Sequence, residues 1–543
     1  MDEFLWWLFV SLSLDELLAM LRRYLPAQTL LFLGLWLILM VAGRSRFFLD
    51  PGALWHPVVG QHILSRGELP YEDSFSCTFA GRPWIAQQWL GECVLALLHR
   101  IGGLDTILLA TATLLAGLYT WLGHRLIREG MHPLIAGLVV ALALLGCSYH
   151  LHPRPHLLTL VLMGWTFARL CDFETGRCSL RSLFWLVPLY ALWANVHGGM
   201  VGGVATLAVA VAGWGAAKLA GRPTPLTGYR QLVLLGVLVL ACGSTAFLNP
   251  YGWELPRVWF ALMGSSLLPQ IIQEHAPLFK DGSAAWTVVL FGLIYLAALL
   301  GVPPRRLRVT WLLPLLWFVL AWTRIRHGPL FVLTAALALG EMYPHVRWRE
   351  WLVRRGSITC RLQTNDAAAS TGRAWRPVVL PGLVVLAALV LEAATASVAV
   401  LGHGWAYLDP STSPVELLPE LRAYEQVSPP GTPIFNDMLF GGFLIERTPN
   451  LRVFVDDRCE LYGDSWLEEY ASAYRHHPER IEEWAREYGF DRALVIPDSV
   501  FDCYLRTASG WAVVRKTEGA VLYRRVTSCR ETEVITFAVG GSK

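Results

Sequence analysis

Charged residues are scarce in this sequence of 543 residues. Asp, Glu, Lys and Arg together make up 16% of it, whereas a soluble domain carries about 25%. Hydrophobic residues make up 54%. The deficit of charge indicates that much of the chain lies in lipid. The net charge of +3 is small for this length and does not indicate a nucleic-acid partner.

The familiar short motifs of catalysis and metal binding are also missing. No CxxC pair occurs among the ten cysteines, so no zinc knuckle can be assigned. No P-loop, GxSxG, HExxH or GxGxxG fingerprint appears. Any functional site must therefore be inferred from the placement of single polar residues.

Apolar runs of roughly 17–25 residues, which is enough to span a bilayer, recur along the first 400 residues. They predict about eleven transmembrane helices, a few of which need flanking residues to complete the span. The runs lie near 27–43, 104–123, 132–149, 156–172, 182–197, 200–219, 230–247, 285–301, 309–323, 328–345 and 377–400. The shorter apolar stretch 88–99 indicates either an interfacial helix or the first half of a tilted span.

Basic residues give the chain an orientation. With the N-terminus in the cytoplasm, the inside segments hold about twenty basic residues and the outside segments about ten over a similar length. This bias favours a cytoplasmic N-terminus, and an odd number of spans then exports the C-terminal region. The apolar run 5–10 is interpreted as an uncleaved anchor, because no small-residue cleavage site follows it.

The chain after residue 401 differs in kind. Short strand patterns at 432–435, 452–455, 492–496 and 511–526 alternate with a helical pattern at 464–489, which indicates a small α/β domain. We therefore divide the chain into a transmembrane module 1–401 with a long first exported loop 44–103, a linker 402–431 and an exported α/β domain 432–543. The predicted fold class is an α-helical polytopic membrane protein with a C-terminal exported α/β domain.

The first exported loop carries several candidate site residues. Asp50 follows the first span, where an acidic group is a functional candidate, although Asp-Pro-Gly is equally a turn signal. His56 lies on a predicted amphipathic helix and either joins a site or simply faces water. Asp73 is a candidate for substrate binding or for a turn cap. Gln88 and Glu92 enter an apolar helix, which an interfacial aromatic belt does not explain.

Later loops on the same face add further candidates for substrate binding. Arg154 is well shaped to hold a phosphate, or it belongs to an interfacial turn with the neighbouring histidines. Asn195 and His197 end a span just before two glycines. Arg324 and Arg326 run against the positive-inside trend, and either an anionic partner or contact with lipid headgroups explains them.

Several of these residues form a scattered pattern along most of the chain. The run Asp50-Pro-Gly-Ala-Leu-Trp-His56, followed by Asp73, Trp84, Trp89 and Glu92, resembles the first exported loop of bacterial multi-spanning GT-C-type glycosyltransferases. Later segments resemble the same family, namely Arg154-Pro155-His156, Trp193-Ala-Asn195-Val-His197-Gly198, Asn249-Pro-Tyr-Gly252, Arg326, Gly441-Gly442-Phe443-Leu444 and Val455-Asp456-Asp457-Arg458.

The resemblance implies a glycosyltransferase of the bacterial inner membrane, surrounded by membrane lipids, that takes a sugar from a polyprenyl-phosphate donor on the exported face. The sequence does not identify the sugar or the acceptor. The family's catalytic carboxylate matches Asp50, while His56 and Gln88 would position substrate and Arg154 or Arg326 would bind phosphate. Many relatives carry a second Asp where this chain has Gly52. That departure puts a metal-bridged site in doubt; we assign no metal ligand and leave a divalent metal open.

Two other functions compete with this hypothesis. A transporter or lipid flippase would use the outer polar cluster as its binding vestibule, but it is expected to carry charges near the bilayer midplane and repeat symmetry. The sequence shows few mid-span charges and no clear repeat. The third alternative is a non-catalytic scaffold whose α/β tail binds an exported partner.

Overall fold

A computed structural model describes residues 25–280, 283–347 and 376–526. The anchor predicted at 5–10 and most of the predicted cytoplasmic segment 346–376 lie outside these residues. Within the described residues, helices fill most of the chain before residue 400, and strands occur near its C-terminal end.

Each of the eleven predicted spans contains a helix. The helices of this region are α1 (Ala27–Arg46), α2 (Gly52–Arg66), α3 (Trp89–Arg128), α4 (Pro133–Cys147), α5 (His156–Glu174), α6 (Leu180–Leu183), α7 (Leu186–Val196), α8 (Met200–Leu219), α9 (Tyr229–Ser244), α10 (Glu254–Gly264), α11 (Leu268–Ile271), α12 (Ser283–Gly301), α13 (Leu313–Thr323), α14 (Gly328–Met342) and α15 (Arg376–Ala393). Among the described residues, five helical segments are long and apolar enough to cross a membrane, namely α3, α8, and α1, α4 and α9 each taken with the 3₁₀ turn that follows it. The number eleven stays a prediction.

The apolar stretch 88–99 forms the first limb of α3, a helix of 40 residues with a kink. The kink lies at Gly102 and Gly103, and Gly103 has φ 64° and ψ −142°. Glycine adopts this conformation because it has no Cβ. The kink places Asp105 at the start of the second limb.

Helix α2 packs tightly against the start of α3. A Cβ atom added at Gly60 would lie 2.0 Å from the backbone oxygen of Glu92, so the two backbones meet at this point. Most residues of α2 are buried. The helix predicted just after Asp50 is therefore confirmed, and it lies within the protein.

The C-terminal region contains the predicted α/β domain. Its strands are β1 (Thr432–Asn436), β2 (Leu451–Val453), β3 (Arg492–Val495), β4 (Trp511–Lys516) and β5 (Val521–Arg525), and its helices are α16 (Leu418–Val427), α17 (Gly441–Arg447), α18 (Cys459–Arg475), α19 (Arg480–Tyr488) and α20 (Val500–Thr507). The sheet order is β2-β1-β3-β5-β4. Strand β1 is parallel to both of its neighbours, whereas β5 is antiparallel to β3 and β4. The strand predictions are confirmed, and the pattern at 511–526 forms two strands.

The chain forms two compact units that exchange short segments of sequence. The first unit contains the chain up to Asp73, Arg82–Asp409 and Arg458–Asp464. The second contains Ser74–Gly81, Pro410–Asp457 and the chain from Ser465 onward. Part of the loop 44–103, which is predicted to be exported, therefore belongs to the second unit, and a short piece of the C-terminal region belongs to the first unit.

Within the second unit, the segment Ser74–Gly81 lies along strand β2. Ser76 forms a parallel bridge with Val453. The backbone N–H of Val453 donates to the carbonyl oxygen of Phe75 at 3.0 Å, and the N–H of Cys77 donates to the Val453 oxygen at 2.9 Å. The sheet edge that β1 does not cover is thus covered by the loop segment.

Candidate active site

Two carboxylates meet one guanidinium group in the loops that join helices of the first unit. Arg154, just before α5, donates from Nη1 to Asp50 Oδ2 at 3.0 Å and to Glu274 Oε1 at 3.4 Å. Asp50 follows α1, and Glu274 lies in a short 3₁₀ turn after α11. The side chains of all three are only about one fifth exposed or less. Arg154 is therefore a cation held between two partly buried carboxylates.

Gly52 allows Asp50 and Arg154 to meet. The Asp50 Oδ1 atom accepts a hydrogen bond from the Gly52 N–H at 2.8 Å, so Asp50 also starts α2, as the turn signal predicts. A Cβ atom at position 52 would lie 2.8 Å from Asp50 Oδ1 and 2.9 Å from Arg154 Nε. An aspartate side chain at position 52 has no room beside this ion pair.

Glu274 completes the cluster, although sequence reasoning gave it no role. Burial opposes its ionisation, but the charge of Arg154 outweighs that effect and holds the pKa of the Glu274 carboxyl well below its usual value. The Nδ1 atom of His150 lies 3.6 Å from Glu274 Oε1. The only sequence signal for Glu274 is an acidic residue beside a histidine in a predicted exported loop.

The two arginines of the turn before α14 meet at one histidine. Arg326 Nη1 lies 2.7 Å from His275 Nε2, and Arg324 Nη1 lies 3.2 Å from His275 Nδ1. A neutral imidazole accepts at only one nitrogen, and we assign the accepting role to Nε2 because that contact is shorter. Burial, and then the charge of Arg326, lower the pKa of His275 to about 3. His275 is therefore a neutral support for Arg326.

Arg324 has further contacts with the backbone. Its Nη2 atom donates to the carbonyl oxygens of Met263 and Ser265 at 2.9 and 3.0 Å. It therefore ties the turn before α14 to the end of α10. Among the described contacts, Arg326 donates only to His275, so it keeps more N–H donors than Arg324 does and is the better of the two candidates for an anionic substrate.

Histidines form a second layer around the cluster. The His156 Nε2–H group donates to the backbone oxygen of His150 at 2.9 Å, and the two rings lie 4.1 Å apart. The His197 ring lies 6.2 Å from that of His156. His197 Nδ1 accepts from the Gly199 N–H at 2.9 Å, so its proton lies on Nε2. Arg154 and Arg326 both act electrostatically on His197.

His56 and Glu92 form a buried pair next to this cluster. His56 Nδ1 lies 2.9 Å from Glu92 Oε1, and both side chains are at most 1% exposed. The interpretation of His56 as a water-facing residue is therefore wrong. Burial, and then the charge of Arg154, hold the pKa of His56 well below its usual value. The imidazole is neutral, and one hydrogen bond joins its Nδ1 atom to the Glu92 carboxyl.

Asp73 belongs to a different buried group of the first unit. Arg458 Nη1 donates to Asp73 Oδ1 at 2.7 Å, and neither side chain is exposed. The Arg458 guanidinium lies over the Trp84 ring, 4.7 Å from its centre. Trp84 Nε1 donates to Glu460 Oε1 at 3.2 Å. Asp73 thus anchors the segment Arg458–Asp464 among the residues of the first unit.

Asn195 and Gln88 support the helices near the cluster. Asn195 Oδ1 accepts from Trp89 Nε1 at 2.9 Å, and its Nδ2 donates to the backbone oxygens of Ala191 and Leu248 at 2.8 Å. These three bonds tie α3, α7 and the chain after α9 together. Gln88 is buried at the start of α3. Asn195 therefore holds the framework on which the cluster is built.

The cluster holds a cation of its own between its two carboxylates. Asp50 and Glu274 both face the Arg154 guanidinium. Within residues 25–280, 283–347 and 376–526, one trio of carboxylate and imidazole groups is close enough to hold a metal ion, and it contains none of these residues. The residues present at the cluster therefore do not fit a bridged metal, and no chemical step is assigned to one.

No protein-family model and no curated protein matches the sequence. Among solved structures, the oligosaccharyltransferase of Archaeoglobus fulgidus tethered to an acceptor peptide aligns with a TM-score of 0.53 and 13% identity, covering 87% of this chain and 69% of that one. ArnT from Cupriavidus metallidurans bound to undecaprenyl phosphate aligns with a TM-score of 0.48 and 14% identity, covering 92% and 98%. The likeness to the oligosaccharyltransferase shows the fold. The chain is a multi-pass membrane protein that shares the fold of this oligosaccharyltransferase, which is the GT-C fold that its motifs predict.

Proposed function

We propose that this chain is an integral-membrane glycosyltransferase. It transfers a sugar from a polyprenyl-phosphate donor to an acceptor on the exported face of a bacterial inner membrane, with its N-terminus in the cytoplasm. The observation that carries the proposal is the contact of Asp50 and Glu274 with Arg154, in a chain of the GT-C fold. A lipid-linked donor explains why these residues lie in loops at the ends of apolar helices.

Asp50 is the proposed base. In the reaction, the bond between the anomeric carbon and the donor phosphate oxygen breaks, and a bond from that carbon to the acceptor oxygen forms. The acceptor hydroxyl proton passes to Asp50, and the bonding electrons leave with the polyprenyl phosphate. Glycosyl transfer proceeds through an oxocarbenium-like state, in which a carboxylate at the acceptor oxygen lowers the barrier by taking the proton.

Arg154 links the binding of the donor to the contacts of the Asp50 carboxylate. A guanidinium group is well matched to phosphate oxygens, so a bound donor would share Arg154 with Asp50. That sharing weakens the hold of Arg154 on the Asp50 carboxylate and leaves a carboxylate oxygen available to the acceptor hydroxyl. Arg326, supported by the neutral His275, supplies further positive charge to the leaving phosphate.

The buried residues beside the cluster have a positioning role in this proposal. The neutral His56 and its partner Glu92 connect α2 to α3 at the point where the two helices touch. They hold α2, and with it the turn that contains Asp50, in place. Gln88 lies at the start of α3 and is assigned to the orientation of the sugar.

The variant Asp50→Asn tests the proposal. Membranes that contain the full chain are incubated with labelled polyprenyl-phosphate hexoses and pentoses, and the label is measured in the lipid, protein and glycan fractions. The wild type is expected to transfer label, and Asp50→Asn to lose about 10²–10⁴-fold in rate, the usual contribution of a general base. Glu254→Gln is the control, because Glu254 is exposed and pairs only with its helix neighbour Arg257 among the described contacts.

Two results would contradict the assignment. Transfer by Asp50→Asn at the rate of Glu254→Gln shows that Asp50 is not the base. Movement of the intact labelled donor between bilayer leaflets, with no transfer in any fraction, favours the flippase hypothesis instead.

A further inference from the structure

A second group of ionisable side chains lies at the kink of α3. Asp105 starts the second limb of that helix, Glu392 lies near the end of α15, and His403 follows α15 by ten residues. One possible ligand atom from each of the three lies within 4.8 Å of the other two. None of the three belongs to the cluster around Asp50.

The loop that carries His403 is fixed in place. Asp105 Oδ2 accepts from the Gly404 N–H at 2.8 Å, and Oδ1 accepts from the Ala406 N–H at 2.5 Å. The backbone N–H of His403 donates to the Ala396 oxygen at 2.7 Å. The imidazole of His403 is half exposed, and its Nδ1 atom lies 3.7 Å from Asp105 Oδ2. The loop thus holds the half-exposed His403 imidazole on a backbone that hydrogen bonds fix in place.

The environment of Glu392 gives a second indication that this group of side chains binds a ligand. Its side chain is only 2% exposed, and its Oε2 atom has no hydrogen-bond partner among the described residues. A Cβ atom added at Gly102 would lie 3.5 Å from this same oxygen, so the backbone at the kink closes one side of the site. A buried carboxylate oxygen without a hydrogen-bond partner destabilises the fold.

Within the described residues, no Arg or Lys side chain offsets the charge of these two carboxylates. In the described part of the chain, the one ion pair formed by Asp105 is with His403, and neither Asp105 nor Glu392 pairs with an Arg or Lys. Two buried carboxylates that face each other repel when both are ionised. A divalent cation bound by both would remove that repulsion and satisfy Glu392 Oε2.

We propose that Asp105, Glu392 and His403 bind one divalent transition-metal ion of the Zn²⁺ type. Two carboxylate oxygens and one imidazole nitrogen are a ligand set that Zn²⁺ accepts, with water in a fourth position. Ligand atoms around a tetrahedral Zn²⁺ lie about 3.4 Å apart, so the three groups must close by roughly an ångström. The exposed His403 side chain is free to rotate inward. The ion would fasten the end of α15 to the kink of α3.

The test uses the full chain, purified in detergent and freed of metal with a chelator. Zn²⁺ binding is measured by equilibrium dialysis with elemental analysis, and the unfolding temperature is recorded with and without ZnCl₂. The wild type is expected to bind one Zn²⁺ per chain and to unfold at a higher temperature with the metal. Glu392→Gln and His403→Ala are expected to lose at least about tenfold in affinity and to lose the temperature shift.

His476→Ala is the matched control, because His476 is an exposed histidine of the tail and should leave both readouts unchanged. If Glu392→Gln does not fold, the exposed position of His403 still gives a valid variant. The proposal is overturned if the wild type shows no saturable site, or if Glu392→Gln and His403→Ala bind Zn²⁺ like the wild type. Loss of binding in Asp50→Asn alone would also overturn it, because the metal would then belong to the other cluster.

Discussion

Gly52→Ala is the sharpest probe of the cluster around Arg154. The new methyl group would lie 2.8 Å from Asp50 Oδ1 and 2.9 Å from Arg154 Nε. Ordinary van der Waals contact needs more than 3.4 Å, so each group must retreat by about half an ångström. Both atoms belong to side chains that can turn aside, and the fold is expected to survive the substitution.

Gly52→Ala is therefore expected to lower the rate of sugar transfer and not the stability of the fold. Displacement of reacting groups by about 1 Å can cost about 10²-fold, and a shift of half that size at both Asp50 and Arg154 should cost between about tenfold and 10²-fold. The first residue of α2 becomes alanine, which favours a helix by about 0.5–1 kcal/mol. That gain should offset part of the strain.

The assay compares the rate of sugar transfer and the unfolding temperature of Gly52→Ala with those of Gly34→Ala. Gly34 is a helical glycine of α1 with no atom within 4 Å of an added Cβ, so its substitution controls for the general effect of alanine. A Gly52→Ala enzyme that transfers sugar as fast as Gly34→Ala would refute the reasoning. It would show that the contact between Asp50 and Arg154 does not position the reacting groups.

Three further predictions concern the fold. Asp73→Asn should destabilise the fold by about 3–5 kcal/mol, because it removes one charge of a buried ion pair with Arg458, and the midpoint of denaturation in detergent measures this. Gly60→Ala should destabilise the fold by at least about 3 kcal/mol, since its methyl group meets the Glu92 backbone. In size-exclusion chromatography this variant should elute as aggregate, whereas Gly34→Ala should not. Burial raises the pKa of Asp437 to about 7, against about 3.9 in the unfolded chain. The wild type should therefore lose stability relative to Asp437→Asn as the pH rises from about 4 through 7. Curves of stability against pH that run parallel for the two proteins would contradict this.

Local patterns predict the elements of this fold well. Short apolar runs predict β1, β2 and β3, and each of the longer apolar runs before residue 400 contains a helix. These elements form because each segment carries its own signal of periodicity and length. The glycine pair at 102 and 103 also lies where α3 bends, as glycine within a helical pattern allows.

Contacts between distant residues are what the sequence alone does not reveal. Asp73 and Arg458 are 385 positions apart, and no local pattern marks them as partners. Glu274 joins Arg154 across 120 positions, so its role depends on how the loops meet. The resemblance to GT-C enzymes directed attention to Asp50 and Arg154, but it does not contain Glu274. A single sequence shows which polar residues share a face of the membrane and does not show which of them touch.

The segment Ser74–Gly81, which lies along strand β2, limits where the chain can be cut to give a fragment for study. A fragment that begins at residue 410 would contain all five strands but would lack Ser74–Gly81, so the outer edge of β2 would lose the hydrogen bonds to Phe75 and Cys77. Uncovered strand edges pair with other chains. Such a fragment should form oligomers when expressed alone, and a fusion that returns residues 74–81 to that edge should yield a monomer.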